Sequence, residues 1–149
     1  MNLLRELNES QQKAVSASEG PVLVLAGAGS GKTRVITYRI AYLLNQLSIP
    51  ANRILAVTFT NKAANEMKER VRQLVGKKRG LVISTFHSFC VRFLKQEITQ
   101  LGYLKNFSIY SDSDSKALIK NILIDMNINE ENYPVRMVAS LISKAKNSL

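Results

Sequence analysis

Eight small or polar residues between 26 and 33 have the types and spacing needed to bind a phosphate. Small side chains let consecutive backbone N–H groups turn toward an anion, and glycine tolerates the left-handed backbone of such a turn. The lysine can reach the terminal phosphates and the threonine hydroxyl can coordinate Mg²⁺. The strict pattern begins with glycine, where this chain has alanine; an ordinary glycine-rich turn is the alternative. The residues are Ala26, Gly27, Ala28, Gly29, Ser30, Gly31, Lys32 and Thr33.

Two glutamines, Gln11 and Gln12, precede this loop and could read the base of a nucleotide. A glutamine amide can accept from N6 of adenine and donate to N7 at the same time. Guanine-specific sites use Asn-Lys-x-Asp, but residues 61–64 read Asn-Lys-Ala-Ala, so GTP is disfavoured. Adenine is therefore the predicted base, although a surface role for either glutamine is the more frequent alternative.

Two further turns combine hydroxyl side chains with an aromatic ring, at residues 58–62 and 84–88. Hydroxyls and free helix N-termini bind phosphate oxygens, and rings stack on bases, so the combination suits single-stranded nucleic acid. The alternative is that Phe59 and Phe86 are core residues and that the Thr and Ser side chains cap helices. A local hydrogen bond is the simplest role for His87, the single histidine.

Alternating strand and helix patterns predict how these turns are positioned. Short apolar runs predict strands at 21–26, 54–59 and 81–83, and helical spacing predicts helices at 32–47, 62–75 and 86–100. This order favours an α/β fold with a parallel sheet and helices on both faces. The C-terminal ends of parallel strands share one edge, so all three turns are expected on that edge.

The pattern changes beyond residue 106. Residues 107–110 could form a short strand, and helical spacing follows at 112–127 and 134–147. We therefore interpret residues 1–110 as the α/β part and 111–149 as the beginning of a helical subdomain.

Charge and composition restrict the function classes. The 149 residues carry a formal net charge of +10, which favours polyanionic partners. A single cysteine, Cys90, excludes an intramolecular disulfide framework. The sequence contains neither a signal-peptide pattern nor an apolar run of membrane-spanning length, so we predict a cytoplasmic protein without a membrane partner.

One basic cluster has no assigned role. A solvated helix face that runs into a loop is its simplest interpretation. Its members, opposed only by Glu69, are Lys68, Arg70, Arg72, Lys77, Lys78 and Arg79.

Carboxylates for nucleotide hydrolysis are missing. Hydrolysis needs an acid for the Mg²⁺ shell and another group to orient water, yet residues 1–111 contain no Asp. Asp125 ends an apolar run, but that run has helical spacing. We therefore expect a chain that binds nucleotide without completing catalysis, as the N-terminal part of a longer protein.

Four motifs together resemble the N-terminal motifs of UvrD/Rep/PcrA-type superfamily-one DNA helicases, in order and spacing. They are Leu7-Asn8-x-x-Gln11-x-x-Ala14-Val15, residues 26–34, Thr58 to Met67, and Ser84-Thr85-Phe86-His87. The resemblance implies a P-loop NTPase with a RecA-like fold, followed by an inserted helical subdomain.

The same resemblance implies a role for each motif. Gln11 would meet the adenine edge, Arg34 would pack near the base, and the loop would bind ATP with Mg²⁺ at Thr33. The implied partners are single-stranded DNA, duplex junctions and a second RecA-like domain that supplies an arginine; the implied activity is 3′-to-5′ translocation and unwinding. The implied DNA contacts are Phe59, Thr60, Asn61, Lys62, Thr85, Phe86 and His87.

Three alternatives stay open. A subunit of a recombination helicase–nuclease would share these motifs. A small P-loop kinase would fit the chain length but needs an acceptor site and a carboxylate base. A basic nucleic-acid-binding module with a degenerate loop would bind DNA without responding to nucleotide.

Overall fold

A computed structural model describes residues 3–148 of the chain. The first residue of the predicted α/β part (position 1) and the last residue of the predicted helical subdomain (position 149) lie outside the described residues. Short 3₁₀ turns occur at Leu3–Glu6, Ala51–Arg53 and Ile98–Leu101. Residues 3–148 also form six α-helices and two strands: α1 (Glu9–Ser16), α2 (Lys32–Asn45), β1 (Leu55–Thr58), α3 (Asn61–Val75), β2 (Val82–Thr85), α4 (Phe86–Glu97), α5 (Asp112–Asp125) and α6 (Val135–Asn147).

The chain divides into two compact units between Ile98 and Thr99. The first unit holds both strands and helices α1 to α4, and the second holds α5 and α6. The domain boundary that we place at 110/111 stays a prediction.

The first unit is built on a parallel pair of strands. Leu55 lies opposite Val82 and Thr58 opposite Thr85, so the strands end level. Side chains of Ala56 and Ile83 on one face of this sheet pack with Ile40 of α2 and with Met67 and Val71 of α3. Leu55 and Val57 remain about half exposed. The predicted strands at 54–59 and 81–83 are therefore confirmed, and their packed face is the one that α2 and α3 cover.

A second apolar cluster attaches the N-terminal helix to α2. Val15 of α1 is buried with Val35, Tyr38 and Ala41 of α2, and Leu3 and Leu7 complete the cluster. This packing places α1 beside the start of α2.

The predicted strand at 21–26 is wrong for the residues that the structure describes. Residues 21–27 are in no strand, and the sheet contains only β1 and β2. The segment keeps the two-residue alternation of a strand: Leu23 and Leu25 are 83% and 87% exposed, whereas Val22 and Val24 are about half exposed and line a cavity with Val35. An apolar run becomes a strand only when a neighbour supplies hydrogen bonds, and neither β1 nor β2 pairs with it.

The second unit consists of two packed helices. Helix α5 begins with a capping box: the Asp114 amide donates to the Ser111 hydroxyl (3.1 Å), and the Ser111 amide donates to the Asp114 carboxylate (2.9 Å). Lys120 pairs with Glu130 at 3.4 Å. The predicted strand at 107–110 is wrong, because these residues have no strand partner in the described part of the chain.

None of the helices within residues 3–148 combines the length and apolar character that a bilayer crossing requires.

Candidate nucleotide and nucleic-acid site

The loop at 26–33 presents free backbone donors at the start of a long helix. Gly29 and Gly31 have φ values of +75° and +84°, the left-handed backbone that glycine adopts without strain. Gly31 is the N-cap of α2 and supplies no side-chain bond to the first turn. The N–H groups of that turn therefore remain available to an anion, beside the positive end of the helix dipole.

Lys32 is folded back onto its own loop. Its ammonium donates to the carbonyl oxygens of Gly27 (2.6 Å) and Ala26 (3.2 Å). The Ser30 hydroxyl donates to the same Gly27 oxygen (2.8 Å). The half-buried side chain of Thr33 makes no hydrogen bond within residues 3–148. The loop thus has an ammonium at its mouth and a free hydroxyl one residue later.

Gln11, but not Gln12, contacts the loop. The Gln11 amide donates to the Ser30 carbonyl (3.1 Å), and its oxygen accepts from the Asn8 amide (3.2 Å) in a capping box at the start of α1. A Cβ at Gly31 would lie 3.0 Å from the Gln11 nitrogen, so the two are in close approach. The Gln12 amide donates instead to the Leu7 carbonyl (2.9 Å), a bond within the N-terminal segment.

Arg34 is held by two residues. Its guanidinium donates to the Glu6 carbonyl (2.8 Å), lies 3.5 Å from the Glu6 carboxylate and stands 5.3 Å from the centre of the Tyr38 ring. The Tyr38 hydroxyl donates to the same carboxylate. Burial of the phenol, followed by its bond to Glu6, raises the pKa of Tyr38 above 10.0.

Tyr38→Phe should lower the free energy of unfolding by about 1 kcal/mol at pH 7, because the hydroxyl bond to Glu6 is lost. A raised pKa means that the neutral phenol stabilises the fold below pH 10.0 and that this contribution disappears as pH rises through the raised value. The difference in free energy of unfolding between wild type and variant should therefore shrink at more alkaline pH. Urea titrations at neutral and alkaline pH measure this difference.

Tyr42→Phe is the matched control, since Tyr42 lies one turn further along α2 and its hydroxyl has no partner in the described residues. An equal loss of unfolding free energy in both variants would contradict a stabilising role for the bond between Tyr38 and Glu6.

The turns after β1 and β2 lie side by side. Thr58 and Thr85 are register partners, so Phe59 and Phe86 each follow a strand end at the same level. Phe59 is 95% exposed and Phe86 is 61% exposed. The alternative that these rings are core residues is therefore wrong. Two exposed rings stand at the C-terminal edge of the sheet.

The two predicted caps are present. The Thr60 hydroxyl accepts from the Ala63 amide (3.2 Å), and that of Thr85 accepts from the Ser88 amide (3.2 Å) while donating to the Ser88 hydroxyl (2.8 Å). Thr85 is also buried, so its hydroxyl serves the start of α4. Asn61, Lys62 and His87 are exposed and make no side-chain hydrogen bond within residues 3–148. The local bond expected for His87 is therefore absent from the described chain.

Acidic groups do not assemble into a metal site in the described part of the chain. Asp125 ends α5, in agreement with the helical spacing around it. Thr33 is thus the one predicted metal ligand that the loop provides.

Comparison with known proteins gives the family. Residues 7–149 match the UvrD/REP helicase N-terminal domain. The chain belongs to this helicase family. It is 49% identical over 148 residues to the ATP-dependent DNA helicase PcrA of Staphylococcus aureus (strain Mu50) and 48% identical to that of Staphylococcus epidermidis (strain ATCC 12228). Each alignment covers 99% of this chain and 20% of the relative, so the chain spans about a fifth of the length of these curated relatives.

Family membership confirms the resemblance drawn from the four motifs, while the role of each site residue stays a prediction. Sequence reasoning missed Glu6 and Tyr38, which hold Arg34. No local pattern marks either residue, because their contact joins positions 32 residues apart. The spacing Asn8-x-x-Gln11, in contrast, is that of a capping box and could have identified the start of α1.

Proposed function

We propose that this chain is the ATP-binding part of an ATP-dependent DNA helicase with a P-loop, RecA-like fold. The observation that carries the proposal is the left-handed backbone at Gly29 and Gly31, which leads directly into the uncapped first turn of α2. Consecutive free amides, a lysine and a helix dipole in one place suit a triphosphate better than any other common ligand.

Each loop residue then has a chemical task. The unpaired amides of the loop and of the first turn of α2 bind phosphate oxygens. The Lys32 ammonium exchanges its carbonyl partners for the terminal phosphates. The free Thr33 hydroxyl suits a place in the Mg²⁺ shell. Gln11 reads the adenine edge, and Arg34, which Glu6 and Tyr38 hold in place, packs near the base.

The exposed rings and helix N-termini at the sheet edge suit single-stranded DNA. Phe59 and Phe86 would stack on bases, while Thr60, Asn61, Lys62 and His87 would contact the backbone. Thr85 would act by capping α4 and thereby holding Phe86 and His87 in place.

The full protein would couple ATP hydrolysis to 3′-to-5′ translocation and duplex unwinding during replication or repair in the cytoplasm. A second RecA-like domain would supply the arginine that stabilises the transferring phosphate. With one metal ligand in the loop, the chain alone would bind ATP without hydrolysing it.

Titration of the chain with a fluorescent ATP analogue and Mg²⁺ tests the nucleotide site, and we expect saturable binding. Gln11→Glu keeps an oxygen for the Asn8 amide but removes the donor to adenine N7. It should therefore weaken binding of the ATP analogue about tenfold, within the ~1–3 kcal/mol of a bidentate base contact.

Gln12→Glu is the matched control, because the same substitution removes the bond to the Leu7 carbonyl. It should lower the free energy of unfolding without altering the affinity for the ATP analogue. Failure of the ATP analogue to bind, or equal weakening by both substitutions, would overturn the assignment.

A further inference from the structure

A groove of about 580 Å³ follows the edge of β2 in the first unit, on the side away from β1. Residues 81–84 all line it, together with parts of α3, the loop after α3 and α4. Successive residues of a strand point to opposite faces, so a cavity that touches four in a row runs along the strand's edge. We call this cavity the basic groove.

The edge of β2 in the basic groove carries unpaired backbone groups. The Val82 amide donates toward β1, to the Ile54 carbonyl (3.3 Å). In a parallel ladder alternate residues bond to one neighbour, which turns the N–H and C=O of Ile83 toward the groove. Within residues 3–148 no strand pairs with this edge. An open strand edge is a template for another extended chain.

Five cations surround the basic groove: Lys68, Arg72, Lys77, Lys78 and Arg92. Arg72 has a long ion pair with Glu69 (3.8 Å), and the other four have no ion-pair partner in the described chain. None of the described lining residues is acidic. The groove therefore attracts a chain that carries several negative charges.

The floor of the basic groove is aliphatic. Val71, Leu81 and Ile83 line it, and its described lining includes no aromatic ring. Sites for single-stranded nucleic acid combine a basic groove with rings on which bases stack, and the described lining of this groove supplies no ring. The Ser84 hydroxyl oxygen is buried in the wall and has no partner among the described residues. An aliphatic floor, an unused hydroxyl and an open strand edge together match an extended peptide.

We propose that the basic groove binds an acidic, aliphatic segment of a partner protein, which adds as a strand to the open edge of β2. Backbone bonds to the edge supply affinity, and alternate side chains supply specificity: aliphatic ones face the floor and carboxylates face the cations. Four of the six members of the basic cluster (Lys68, Arg72, Lys77 and Lys78) thus belong to a peptide site rather than only to a solvated helix face.

The probe is a fluorescein-labelled octapeptide of alternating Glu and Val, added to the 149-residue chain at about 0.15 M salt, where distant charges are screened. Anisotropy should show saturable binding. Lys77→Glu with Lys78→Glu should weaken it at least about tenfold, since both lysines are exposed, unpaired and on the rim. An octapeptide of Glu alone should bind at least about fivefold more weakly, because it lacks the apolar contacts.

The matched control is Lys144→Glu with Lys146→Glu, two exposed positions of α6 with the same change in net charge. It should change affinity less than about twofold, and circular dichroism should show both variants folded. Equal weakening by the two double variants, equal binding of the all-Glu peptide, or no peptide binding would overturn the proposal. Displacement of the peptide by oligo-dT, with loss of oligo-dT affinity in the 77/78 variant, would make nucleic acid the occupant and also overturn it.

Discussion

Lys32→Ala should weaken binding of the ATP analogue by about 100-fold, equivalent to ~3 kcal/mol. The ammonium is the only cation that donates into the loop within residues 3–148, and loss of one member of a charged hydrogen-bonded pair costs ~2–5 kcal/mol. The side chain is exposed, so water can replace its two bonds to loop carbonyls, and the free energy of unfolding should fall by no more than about 1 kcal/mol. Fluorescence titration measures the affinity, and urea denaturation measures the stability.

Lys13→Ala is the control for this experiment. Lys13 is exposed on α1. Among residues 3–148 its ammonium pairs only with Glu9 (3.1 Å) and has no hydrogen bond to the loop. Its removal should leave affinity for the ATP analogue unchanged. Nucleotide binding that responds to Lys32→Ala no more than to Lys13→Ala would exclude the loop as the phosphate site.

Phe59→Ala should lower the affinity for labelled oligo-dT by about tenfold to 100-fold. The ring is almost fully exposed and can offer a complete face to a base, and each base–aromatic stack contributes ~1–3 kcal/mol. Phe59→Tyr keeps the face and should retain most of the affinity. Anisotropy at fixed salt is the measurement, because ionic strength changes the electrostatic part of binding.

Phe93→Ala provides an aromatic control away from the strand ends. Phe93 is also partly exposed, but it lies in the second half of α4 and packs against Phe89, with ring centres 6.3 Å apart. Its loss should affect DNA binding less than loss of Phe59. An unchanged oligo-dT affinity in Phe59→Ala would show that exposure of this ring serves another purpose.

Helices were the most predictable part of the fold because their signals are local. Helical spacing at 62–75 located α3 to within a residue, and helical spacing at 112–127 located the start of α5. The same locality made Thr60 and Thr85 recognisable as possible caps.

Strands were less predictable because a strand exists only with a partner. The run at 21–26 has a better apolar pattern than β2, yet it stays unpaired while β2 pairs with β1. Burial was equally hard to foresee: Phe59 and Phe86 are large apolar residues, yet both side chains are exposed just after the ends of two paired strands.

By itself, the amino-acid sequence determined the glycine-rich loop, the helix that follows it, the helicase family and the cationic excess, since each depends on residue type at short spacing. Tertiary structure alone decided that Gln11 rather than Gln12 meets the loop, that Glu6 and Tyr38 hold Arg34, and that scattered basic residues surround one open strand edge. Those contacts join positions many residues apart, and packing of the apolar faces of α1, α2 and α3 brings them together.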